Sequence, residues 1–126
     1  MSLSRTEKNE KIEELLAGLT LLRGVTSSAI VDADGFVTHV RRDFDIDVDA
    51  LGAAVQIMYG SAVRGSKQLK QGDTNILIAE NKEGLIIVTS FGAGFILTVT
   101  ADSSVMLGAV RFEVKQTIAE LIPLFQ

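Results

Sequence analysis

Near the start of the chain apolar residues recur at steps of three and four. Ile12, Leu15, Leu16, Leu19 and Leu22 form one stripe, while Glu7, Lys8, Glu10, Lys11, Glu13 and Glu14 fall mostly opposite. That spacing predicts an amphipathic helix. Ser4 with Glu7 three residues later has the form of a capping box, and Gly24 stands in the usual stop position. Residues 26–32 and 36–40 then read as strands joined by a tight turn at Ala33-Asp34-Gly35. Asp47 is the expected N-cap of a second helix running to about Leu69. Ile46 and Leu51 are placed as a hydrophobic staple, and Asp49 lies in the first turn, where the helix dipole favours an anion. Three more strands, residues 74–80, 85–90 and 95–101, are separated by hairpin-sized loops at 81–84 and 91–94. A last helix sets Leu107, Val110, Val114, Ile118, Leu121 and Phe125 at helical spacing, with Pro123 expected to end or kink it.

The expected order is α-β-β-α-β-β-β-α. Short loops between strands make the five-stranded sheet mostly antiparallel. The strands near Leu85 and Phe95 are almost continuously apolar, so both sheet faces must be covered. The fold class is therefore α/β, a three-layer sandwich, with residues 1–126 as a single domain. No linker, internal repeat or low-complexity tract interrupts it, and the opening Met1-Ser2-Leu3 carries no weight in this reading.

Composition narrows the function. The net charge is −4, and the few basic pairs, such as Arg41-Arg42, sit beside carboxylates, so no nucleic-acid partner is expected. No apolar run is long enough to span a membrane. There is no cysteine, which removes disulfides and thiolate metal sites and fits a cytoplasmic location.

Several motifs invite chemistry and fail on inspection. Residues 60–67, Gly-Ser-Ala-Val-Arg-Gly-Ser-Lys, approach a phosphate-binding loop, but Ser66 and Lys67 are in reversed order and the segment lies late in a helical pattern. The alternating Asp43, Asp45, Asp47 and Asp49 suggest a calcium loop. Counted from Asp43, however, the glycine and glutamate positions of an EF-hand hold Val48 and Ala54. Gly92-Ala93-Gly94 lacks the helix that a dinucleotide fingerprint needs and reads as a turn. His39 is the only histidine, so a histidine-based metal cluster is impossible, and an exposed strand-end residue is the favoured reading. Glu13-Glu14 lies on a wet helix face. No catalytic, cofactor or metal site is assigned, and a non-catalytic binding function is expected.

The second helix carries more information. Val48, Leu51, Gly52, Ala53, Ala54, Val55, Ile57, Met58, Gly60, Ala62 and Val63 run nearly all the way round it, and no charge appears between Asp49 and Arg64. A helix apolar on two sides has two surfaces to bury. One covers its own sheet. The other could be covered by further elements of the same chain, but so small a domain has few layers to supply. It points instead to a second copy, with Leu51, Ala54, Val55, Met58 and Ala62 as the expected homodimer interface.

With these features in order, the chain resembles the Roadblock/dynein light chain superfamily over nearly its whole length, from about Ile12 to Leu124. The likeness rests on Leu19 through Gly24-Val25, on Ile30-Val31-Asp32-Ala33-Asp34-Gly35-Phe36-Val37 and on the apolar second helix. It continues through the hairpin at Gly84 and through Leu107-Gly108-Ala109-Val110-Arg111-Phe112-Glu113. It implies a profilin-like fold and a homodimer whose second helices pack together and whose third strands meet edge to edge. It also implies work on small Ras-like GTPases, as in the MglB-type regulators, or a motor light-chain or scaffolding role. The family has no shared catalytic residues to carry over. A small-ligand sensor of profilin-like shape is the alternative. It would need polar groups in an apolar cavity, where the core strands offer mainly Thr89, Thr98 and Thr100.

Overall fold

The computed structural model describes residues 2–42 and 45–126. Asp43, the first of the alternating aspartates, and Phe44 lie outside the described residues. Helix α1 (Arg5–Thr20) begins with the expected capping box: the Ser4 hydroxyl accepts from the Glu7 amide at 3.2 Å, and the Ser4 amide donates to the Glu7 carboxylate at 3.1 Å. The helix ends at Thr20 rather than at the glycine. Gly24, at φ 87°, instead makes the left-handed turn into β1 (Val25–Val31), where a Cβ would stand 2.6 Å from the Val105 nitrogen. Strand β2 (Val37–Arg42) returns antiparallel, and α2 (Val48–Gln68) follows with Asp47 as its N-cap, accepting from the Ala50 amide at 3.1 Å. Strands β3 (Leu77–Asn81), β4 (Gly84–Phe91) and β5 (Phe95–Ala101) precede α3 (Leu107–Leu121). Pro123 lies in a closing 3-10 turn, Ile122–Phe125, which ends the α-helix as expected.

The strand order is β2-β1-β5-β4-β3, and every pairing is antiparallel. Strand β3 starts three residues later than its sequence suggests because side chains take the carbonyls ahead of it. The Thr74 carbonyl accepts from the Tyr59 hydroxyl at 2.7 Å, and the Asn75 carbonyl accepts from the Thr89 hydroxyl at 2.8 Å. Alternate residues serve opposite faces. Ile30, Leu97, Val99 and Ile87 pack with Ile12, Leu16 and Leu19 of α1 and Val110, Val114 and Leu121 of α3. Ala29, Val31, Ile96 and Val88 pack with Leu51 and Val55 of α2. This is a three-layer sandwich with two cores.

Among the described residues two buried hydroxyl oxygens, those of Thr74 and Thr98, have no hydrogen-bond partner, and the second lies in the core. Thr98 is fully buried. An unsatisfied buried hydroxyl costs about 1–3 kcal/mol. Thr98→Val keeps the β-branched shape and removes that oxygen, so the thermal midpoint should rise. A fall in the midpoint on calorimetry would show that the hydroxyl is in fact bonded in solution.

Candidate interaction surface

The phase of α2 on the sheet is set at three points. Gly52 sits so close to the turn between β1 and β2 that an added Cβ would collide with the Gly35 carbonyl oxygen and stand 3.3 Å from the Val37 side chain. One turn on, the Gln56 amide donates to the Ala33 carbonyl at 2.7 Å. Further along, the Tyr59 hydroxyl lies 2.8 Å from the Ser90 hydroxyl at the end of β4. The helix thus crosses the sheet toward the end that carries the β1–β2 and β4–β5 turns.

These contacts separate the five residues expected at a dimer interface. Leu51 and Val55 are buried against the chain's own sheet, inside the core that covers its α2 face. Ala54 is exposed, while Met58 and Ala62 are half-buried along the flanks. The outward side is instead centred on Ile57, which is 68% exposed. Ile57 lies about 240° round the helix from Leu51, at roughly 100° per residue. Around it stand the exposed Ala50, Ala53, Ala54 and Ser61. The surface is one large aliphatic side chain among small ones, a shape that lets another helix come close. Position could have singled out Ile57 from the sequence once the inward face was known.

Beside this face lies an edge of the sheet. The two edge strands are β2 and β3. Strand β2 carries Arg41 and Arg42, the kind of charges that discourage strand addition. Strand β3 begins Leu77-Ile78-Ala79 and meets no charge until Glu80. Its outer N–H and C=O groups face no other strand among the described residues. Tyr59 fastens α2 to the segment leading into β3, so the apolar helix face and the open edge are held in a fixed relation.

The motifs that suggested chemistry take structural places. Residues 60–67 lie wholly within α2, where backbone N–H groups are taken by carbonyls four residues back and cannot cradle a phosphate. Asp47 caps the helix, and Asp49 sits in its first turn. His39 is half-buried rather than exposed, and both ring nitrogens have partners. Thr38 Oγ1 lies 2.9 Å from Nδ1 and Asn9 Oδ1 lies 3.2 Å from Nε2. The amide oxygen of Asn9 requires a proton on Nε2. Burial pushes the His39 imidazole below its usual value, with Glu13 pulling it back up. Among the described residues no group of three or more His, Cys, Asp or Glu could hold a metal ion. No helix among them is long and apolar enough to cross a membrane. Hollows of about 270 to 510 Å³ lie elsewhere on the described surface, away from α2 and from Thr98.

A family model described as the Roadblock/LC7 domain matches residues 11–101. No curated protein matches the chain. Among solved structures, the Roadblock/LC7 domain from Streptomyces avermitilis superposes with a TM-score of 0.82 at 22% identity, covering 90% of this chain and 96% of that one. MglB of Myxococcus xanthus gives 0.83 at 22% identity, over 91% of this chain and 94% of that one. Profilin II of Acanthamoeba castellanii gives 0.62 at 18% identity, over 91% and 96%. These likenesses agree with the α/β, profilin-like architecture described above.

Proposed function

The chain belongs to the Roadblock/LC7 domain family, and from that premise we propose that it is a non-catalytic, homodimeric interaction module that binds a small Ras-like GTPase in the cytoplasm and regulates it. The observation that carries this reading is the outward face of α2, with exposed Ile57 among small residues, set beside the uncharged edge of β3. Pairing of β3 with its copy would continue the sheet across a two-fold axis and give both open edges partners. The α2 helices would then lie side by side over the joined sheet. The likeness to MglB supports the fold, and the regulator's role is suggested by the resemblance of the sequence to MglB-type proteins.

Any chemistry then belongs to the partner. Phosphoryl transfer depends mainly on positioning and charge stabilisation, so a regulator can act by ordering the GTPase's own switch loops. An arginine supplied in trans is the other route, worth about 10³ to 10⁵ in rate. The exposed arginines Arg5, Arg23, Arg41, Arg42, Arg64 and Arg111 are spread over α1, the turn after it, β2, α2 and α3, and they do not converge on one element of the chain. Stimulation of a Ras-like GTPase encoded near this protein should therefore survive each single Arg→Ala change in a single-turnover hydrolysis assay. Loss of stimulation with binding intact in one variant would replace loop ordering by an arginine finger. No binding in either nucleotide state would leave a scaffold or light-chain role.

A further inference from the structure

On the opposite side of the sheet from α2, the N-terminal half of α1 and the closing 3-10 turn bound an elongated trough. It consists of two hollows of about 290 and 510 Å³ that share Lys8 and Leu124 as a common wall. Arg5, Lys8 and Lys11 follow one another along its α1 side, and Glu120 is the one carboxylate in its lining. Glu7, next to Lys8, is turned back onto the Ser4 amide in the capping box. In a chain of net charge −4 the lining itself carries more cations than carboxylates, although Glu13 of the same helix stands near enough to act on His39.

The floor is apolar and preformed. Leu124 and Phe125 line it, and Phe125 is held by ring contacts with Phe95 at 4.6 Å, Phe91 at 5.3 Å and His39 at 6.2 Å between centroids. His39 is in turn fixed by Asn9, another lining residue. A rigid apolar floor beneath a row of cations meets two requirements of recognition. It offers burial to an anchor side chain without a reordering cost, and it selects the sign of the flanking charges.

We propose that this trough is a docking groove for an acidic segment of a partner protein that carries apolar anchors. Two adjacent hollows on either side of a shared wall suit two anchors spaced along a stretch of chain better than a compact ligand, which would fill one of them. The concave, apolar-floored form fits a protein segment, whereas the attraction of an anionic bilayer for a basic cluster needs no such floor and is opposed by the protein's overall negative charge. Because the trough lies across the sheet from α2, an occupant leaves the dimer face and the β3 edge free. The protein could then be tethered to one partner while engaging another.

The test is fluorescence anisotropy of the full chain with three labelled peptides: a glutamate-rich one with two phenylalanine anchors, the same anchors among lysines, and glutamates among serines. Saturable binding of the first alone is expected, weakening as salt is raised. The double variant Lys8→Glu/Lys11→Glu should weaken it at least tenfold, and Glu120→Lys should tighten it. Lys11 and Glu120 are exposed and Lys8 is half-buried, so an unchanged circular-dichroism melt is the check on the fold. Amide shifts in the NMR spectrum should cluster in residues 5–12 and 122–125. The idea is overturned if the lysine peptide binds as well, if the charge reversal leaves binding unchanged, or if shifts cluster on α2. It is equally overturned if no peptide saturates, or if phosphatidylserine vesicles capture the protein and displace the peptide. Ile57→Glu should leave this binding intact, so failure here and failure of the dimer reading are separately visible.

Discussion

Gly52→Val should cost several kcal/mol of stability, and Gly52→Ala should also destabilise although alanine is the better helix former. A Cβ at position 52 would collide with the carbonyl oxygen of Gly35, a backbone atom with little freedom to yield. Gly35 cannot easily rotate away, since its φ of 90° already commits it to the left-handed region that the turn requires. Two effects compete. Removing a glycine from a helix interior gains about 1 kcal/mol, whereas overpacking a tight contact costs typically 1–3 kcal/mol and occasionally more. The second wins for alanine by a small margin. It wins clearly for valine, which adds two methyl groups and a stiff χ1. Gly65→Ala is the control: nothing lies within 4 Å of its added Cβ, so propensity acts alone and stability should rise by roughly 0.5–1 kcal/mol. Urea titration of the three variants checks the pair of signs. A stabilised Gly52→Ala would mean that α2 sits farther from the turn than described.

The same contact shows what sequence could and could not foretell. Local signals carried the element order: Ser4 with Glu7, Asp47 with Ile46, and the period change after Gly24 each mark a terminus through nearby bonds. The two-sided character of α2 was equally legible, because it needs only a tally of apolar positions around a helix. Which side faces inward was not. That depends on Gly52 meeting Gly35 and on Gln56 reaching Ala33, contacts between an element and a turn about twenty residues away. Leu51 and Val55 therefore fall inside the core, while Ile57 stands outside it. Strand order was hidden for a like reason. Strand β1 pairs with β5 across some seventy residues, Ala29 opposite Thr98, and no local pattern encodes that choice. The exposure of the β3 edge follows from it. The start of β3 was misplaced because Tyr59 and Thr89 claim carbonyls that the apolar pattern assigned to the ladder.

Ile57→Glu should convert the proposed dimer into a folded monomer and abolish regulation of the GTPase. The side chain is 68% exposed in the single chain, so a glutamate there stays hydrated and the fold should keep its melting temperature. In a dimer formed through α2 the same carboxylate would be pressed among Ala50, Ala53 and Ala54 of a closely approaching helix, with no cation on the charge-free stretch between Asp49 and Arg64 to pair with it. Burying an unpaired charge costs at least several kcal/mol, and each 1.4 kcal/mol is tenfold in affinity. A penalty of about 4 kcal/mol thus weakens association roughly a thousandfold, enough to carry a micromolar dimer beyond any practical concentration. Ala54→Arg should act in the same direction, since Ala54 is also exposed. Met58→Glu tests less cleanly, because Met58 is half-buried in its own chain and its loss would disturb folding as well. Light scattering coupled to gel filtration reads the mass directly. The parent should run as a dimer, and both Ile57→Glu and Ala54→Arg as monomers with unchanged circular dichroism. A parent that is monomeric at micromolar concentration, or an Ile57→Glu variant that remains dimeric, would rule out α2 as the dimer contact. If the variant is monomeric yet still stimulates GTP hydrolysis, one chain suffices for regulation, and the two-fold arrangement serves some other purpose.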